Sequence, residues 1–173
     1  KIQINTPMNK PQESAAFDLR QVHDLRKFIA KGESLQLEFK RKATFPDKIV
    51  REMIALANTR GGTVLIGVND DGELSGLKHP EGESHVIQEA LKKCRPRLPV
   101  SEVFIPIGNS RTILRYQIDE SLKKPHYFLN DSGVKESFVR VEDKSIQASR
   151  EMQEIIKRQQ RKKDIRFHYG EAE

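Results

Sequence analysis

The sequence predicts an α/β (α+β) fold, a mixed β-sheet with packed helices. Three observations predict it: apolar residues recur at helical spacing in some segments, alternate with period two in others, and the two patterns interleave without an internal repeat. With 173 residues, 36% of them apolar, the chain is long enough for one packed domain.

The elements follow in order. The opening "KIQINTPMNKPQESAA" is polar and carries prolines, so residues 1–16 are expected to form a flexible arm. In "FDLRQVHDLRKFIAKG", Phe17, Val22, Leu25 and Phe28 or Ile29 fall at helical spacing, and Gly32 stands where a left-handed cap ends a helix. "SLQLEFKRK" alternates Leu35, Leu37 and Phe39 with Gln36, Glu38 and Lys40, which predicts a strand with Glu38 and Lys40 on a wet face. A second helix is predicted in "PDKIVREMIALANT", with Pro46 in its first turn and Ile49, Met53, Leu56 and Ala57 along one side. Gly61 and Gly62 end it. "TVLIGV" reads as a buried strand and "NDDG" as the turn of a hairpin returning through "ELSGL". "HVIQEALKKC" is helical up to Pro96, and "SEVFIPIG" and "RTILRYQID" flank "NS" as a second hairpin. A last strand, "SFVRVED", leads through Ser145 or Ser149 as N-cap into a helix. The expected division is an arm at 1–16, a domain at 17–143, and a basic helix and tail at 144–173.

Charge narrows the partner. Lys and Arg number 31 against 25 Asp and Glu, a net +6, and Lys144 to Lys163 alone carries seven basic and two acidic residues. Such a balance favours an acidic partner, nucleic acid first. The single cysteine, Cys94, can form no internal disulfide and no zinc cluster, which fits a reducing cytoplasm. No apolar run approaches a membrane span, so no membrane partner is expected. "GGTVLIG" lacks the Gly-Lys-Ser/Thr that would hold a nucleoside triphosphate.

Three acids stand near strand ends: Glu33 before the first strand, Glu38 on it, and Asp70 at the exit of the central one. Converging carboxylates bind Mg²⁺ or Mn²⁺, and a metal so held could activate a water against a phosphodiester while Lys40 stabilises the developing charge. Composition alone favours instead ion pairs of Glu33 and Glu38 with Lys31, Lys40 or Arg41, with Asp70 in an Asx-turn. Lys40, Arg41, Lys42, Lys48, Arg51 and Arg140 are candidate phosphate contacts. Met152, Ile155 and Ile156 form an apolar stripe for packing or dimer formation, and Tyr127 and Phe128 could stack on bases or belong to the core.

"GESLQLEFKRK", "EMIALANTRGGTVLIGVNDDGELSGL" and "SFVRVED", read in order, resemble the Schlafen AlbA-like domain over about Gly32 to Val141. The resemblance implies two functions. Bacterial members are regarded as DNA-binding modules, often joined to a winged helix in transcriptional regulators, and vertebrate members use the same motifs in a metal-dependent endonuclease acting on structured RNA. Their catalytic acids correspond to Glu33, Glu38 and Asp70. Departures are Asn69 where an aspartate is common, "EDKSIQAS" in place of a glycine- and serine-rich continuation, and no zinc-ligand set. Vertebrate members carry two related lobes, so this single lobe is expected to form a homodimer. The leading expectation is a DNA-binding domain in transcriptional regulation, DNA ahead of RNA, with a Mg²⁺- or Mn²⁺-dependent endoribonuclease acting on tRNA-like RNA as the alternative.

Overall fold

The structure, a computed structural model, describes residues 17–169, with side chains described to Arg166. The arm expected at 1–16 lies outside the described residues. The elements are α1 (Leu19–Ile29), β1 (Leu37–Lys40), α2 (Pro46–Asn58), β2 (Gly62–Ile66), α3 (Pro80–Leu91), β3 (Cys94–Arg95), β4 (Val100–Gly108), β5 (Arg111–Ile118), β6 (Tyr127–Leu129), β7 (Lys135–Glu136), β8 (Phe138–Val141), β9 (Lys144–Gln147) and α4 (Arg150–Tyr169). This is the α+β arrangement expected, a mixed sheet between helices.

The main sheet runs β1-β2-β5-β4, with β1 and β2 parallel and the other pairs antiparallel. Asn109 and Ser110 both take positive φ, the conformation a two-residue hairpin needs to match strand twist, so "NS" joins β4 to β5. Leu25 and Ile29 of α1 pack with Leu37, Phe39, Leu65 and Ile113 in one apolar cluster. Residues of α2 and α3, among them Met53, Ile54 and Ile87, pack with Val64, Ile66, Leu114 and Tyr116 in a second. Because alternate strand residues point to opposite faces, the two clusters cover the two faces of the sheet.

Gly61 and Gly62 form the joint between α2 and β2. Gly61 has φ +70°, and a Cβ there would stand 2.7 Å from the Ile118 carbonyl oxygen; at Gly62 it would stand 2.5 Å from that of Gln36. Only glycine lets the chain pass so close to two neighbouring backbones.

Four local expectations are corrected. Helix α2 is buried almost all round from Glu52 onward, with Val50, Ile54 and Ala55 buried beside the predicted stripe, because β8, β9 and α3 cover the sides the sheet does not. Helix α3 begins at Pro80, before the predicted "HVIQ". A further strand interrupts the expected passage from "SFVRVED" into a helix: Lys144–Gln147 pairs antiparallel with β8, and Glu142 makes the turn at φ 55°. Ser145 therefore lies in β9, and Ser149 caps α4 by accepting from the Met152 N–H at 3.2 Å. The fourth concerns Glu38, which is buried and not on a wet face.

Candidate nucleic-acid interface

Glu38 is only 6% exposed, since its side chain faces two cations. Arg140 of β8 places Nη1 2.7 Å from Glu38 Oε2, and Lys40 Nζ stands 3.7 Å from Oε1. Arg140 has no side-chain exposure; its remaining donors reach the Ser34 carbonyl at 2.9 Å, the Leu37 carbonyl at 3.3 Å and Ser145 Oγ at 3.1 Å. The guanidinium thus ties the segment before β1 to the β8–β9 hairpin. It offers nothing to a phosphate, which corrects the expectation that Arg140 is a nucleic-acid contact.

Lys40 also meets Glu52 of α2 at 3.0 Å. Burial would lower the Lys40 ammonium, but Glu52 and Glu38 outweigh it and hold it above its ordinary value. Glu33 accepts from the Phe39 N–H at 3.1 Å. Its burial, followed by a hydrogen bond with Glu38, pushes its carboxyl up to about 7. Glu52 Oε2 is buried without a hydrogen-bond partner.

Asp70 belongs elsewhere. It is exposed on the turn after β2 and lines a hollow with Arg26, Ile29, Ala30 and Phe39, on the α1 face of the sheet. Glu38 points to the other face, toward α2 and β8, because it lies one residue from Phe39 in the strand. Among the described residues no group of three His, Cys, Asp or Glu side chains is placed to hold a metal ion. The donor set Glu33, Glu38 and Asp70 as arranged does not fit Mg²⁺ or Mn²⁺: Glu38 is claimed by Arg140, Glu33 by the Phe39 N–H, and Asp70 stands across the strand.

The cations divide into two sets. Lys40 is paired as described, and Arg51 sits 3.9 Å from Glu136 and 4.6 Å from the Phe128 ring centroid. Phe128 is core, not a free stacking surface. Arg41, Lys42 and Lys48 are exposed, and none of the three reaches a carboxylate among the described residues. Arg41 and Lys42 follow directly on the C-terminal end of β1, where the Gly67 and Val68 N–H groups both donate to the Lys40 carbonyl, and Lys48 lies in the first turn of α2. Ligands of parallel strands bind at this end of a sheet.

The model of the family described as Schlafen, AlbA_2 matches residues 33–149. The chain belongs to that family. Among solved structures the Schlafen AlbA_2 chain is similar to the N-terminal domain of a protein from Nitrosomonas europaea described as ATP-dependent DNA helicase RecG-related, with 23% identity and a TM-score of 0.51 over 73% of this chain and 88% of that one. No curated protein matches it. The AlbA_2 motif "ALANT" acquires a structural meaning here. Asn58 Nδ2 donates to the His126 carbonyl, Ser137 Oγ and the Phe138 carbonyl, and its Oδ1 accepts from the His126 N–H. Thr59 Oγ1 accepts from the Arg140 N–H at 2.9 Å. Sequence reasoning assigned no role to Asn58, Thr59 or Glu52; a buried polar side chain inside an apolar helix was the available signal.

Proposed function

We propose that this chain is a nucleic-acid-binding module, DNA first, serving in transcriptional regulation in the cytoplasm. The observation that carries the reading is the exposed, uncompensated cluster Arg41, Lys42 and Lys48 at the C-terminal end of β1, beside a rigid clamp that holds the loop in place. Three exposed cations near one end of the sheet would neutralise phosphates and release counterions, giving salt-dependent and largely sequence-independent affinity. The AlbA_2 family and the DNA-helicase-related description of the neighbour support nucleic acid as the partner. Exposed Ile155 and Ile165 on α4 support a homodimer formed through that helix, which sedimentation analysis of Ile155→Glu would test.

The endoribonuclease alternative would require Glu38 to leave Arg140 and Asp70 to cross the strand, and it is not adopted. The test is to incubate labelled tRNA and duplex DNA with the protein in Mn²⁺ or EDTA, beside Asp70→Ala. Binding that weakens with salt, undiminished by the substitution and without cleavage, is the expected result. Metal-dependent cleavage that disappears in Asp70→Ala overturns the reading.

A further inference from the structure

Phe45, the N-cap residue of α2, is 72% exposed, two positions after the buried and hydrogen-bonded Ala43. Arg41, Lys42, Thr44 and Phe45 line one open hollow of about 410 Å³. Lys48 lies three residues further on, so it shares that side of the first helical turn. The loop beneath is fixed. Ala43 is buried and its N–H donates to Glu83 Oε2 at 2.6 Å, Lys40 is held by Glu52, and the Phe45 carbonyl accepts from the Ile49 N–H at 3.3 Å. The nearby Glu83 carboxylate is thereby engaged with backbone.

An aromatic ring displayed on a held loop beside cations that reach no carboxylate among the described residues is the arrangement that single-stranded nucleic acid requires: a flat apolar face for a base and positive charge for the flanking phosphates. A duplex keeps its bases stacked inside and would use the cations alone. Nor does the function proposed above absorb Phe45, since phosphate contacts need no aromatic residue. We propose that Phe45 is a stacking platform for an unpaired base, with Arg41, Lys42 and Lys48 holding the adjoining phosphates, so that the module takes single-stranded segments of nucleic acid. This rests on the nucleic-acid reading and adds to it the class of substrate.

Fluorescence anisotropy on the full chain tests it with three probes of equal length: a poly-thymidine strand, the same strand with abasic sites throughout, and a duplex. Phe45→Ala is expected to weaken poly-thymidine binding by about tenfold, in the range of losing one base stack, and to leave the abasic strand and the duplex unchanged. Phe45→Trp, which keeps a stacking face, is expected to retain or raise the affinity for poly-thymidine. Equal binding of poly-thymidine by Phe45→Ala and the parent chain, with duplex binding intact, overturns the stacking platform alone. Failure of the parent chain to bind any of the three probes overturns both this inference and the nucleic-acid reading.

Discussion

Arg140 Nη1 lies 2.7 Å from Glu38 Oε2 with its side chain wholly shielded from water, joining two strands 102 positions apart in sequence. Removing one member of such a pair strands the other charge in the interior, which costs about 3–5 kcal/mol, whereas replacing both by apolar side chains can be nearly neutral. Arg140→Ala should therefore lower the unfolding free energy by about that amount in urea titrations, and the double variant Glu38→Leu/Arg140→Met should recover most of it. A loss below about 1 kcal/mol in Arg140→Ala would mean that the clamp does not hold the hairpin.

Glu33 makes stability depend on pH. Its carboxyl is raised from 4.5 to about 7 by burial and by its hydrogen bond with Glu38. Between those values the folded chain holds a proton that the unfolded chain has released, so the contribution is fully present below the lower value and is lost as pH rises through the upper. Urea midpoints of the parent chain should fall over this window relative to those of Glu33→Gln. Parallel pH profiles for the two proteins would remove Glu33 as the titrating group.

The periodic parts of the fold were legible because their residues answer only to their neighbours in sequence. Val22, Leu25 and Ile29 needed a single face to bury, and Asn109–Ser110 needed only a tight turn. Two-residue strands such as Cys94–Arg95 and Lys135–Glu136 are too short to show alternation. Glu38 has the spacing of a wet-face residue, and nothing local announces that an arginine from β8 will enclose it. The acids of the resemblance were found at the right positions, but the face each would occupy depended on the parity of β1 and on the turn carrying Asp70. Phe45 escaped notice because its exposure is a tertiary fact.

The Gly61 joint admits no side chain. Its φ of +70° disfavours any Cβ, and the two nearest backbone atoms, the Ile118 carbonyl oxygen and the Glu120 nitrogen, each stand 2.7 Å from where one would lie. Gly61→Ala should cost about 2 kcal/mol or more, read as a lowered thermal midpoint with the far-ultraviolet spectrum retained below it. An unchanged midpoint would show that the α2–β2 connection yields more freely than its packing suggests.

Salt dependence separates the exposed cations from the buried one. Each phosphate neutralised on a duplex contributes roughly 0.9 to the slope of log affinity against log salt. Exchanging Arg41, Lys42 and Lys48 for alanine should reduce the slope by roughly two to three if all three contact phosphate. Thermal stability should change little, since the three side chains are exposed and reach no carboxylate among the described residues. An unaltered slope with equal affinity would move the interface to another face of the protein.

Asn58 carries the last prediction. It joins the end of α2 to the His126 backbone, Ser137 and the Phe138 carbonyl, and all of these groups lie in the layer that also presents Arg140 to Glu38. Asn58→Ala leaves the His126 N–H and the Phe138 carbonyl without that partner in a buried setting, where each lost bond costs about 1–3 kcal/mol. A total of about 2–4 kcal/mol is expected, below the simple sum because Ser137 Oγ still donates to the His126 carbonyl. Hydrogen exchange should rise first at β6 and β8 and leave β2 and β5 protected, because the main sheet has its own ladder and, on the α1 face, an apolar cluster without β6 or β8 residues. Uniform acceleration across both layers would show instead that the hairpin layer and the main sheet open together as one cooperative unit.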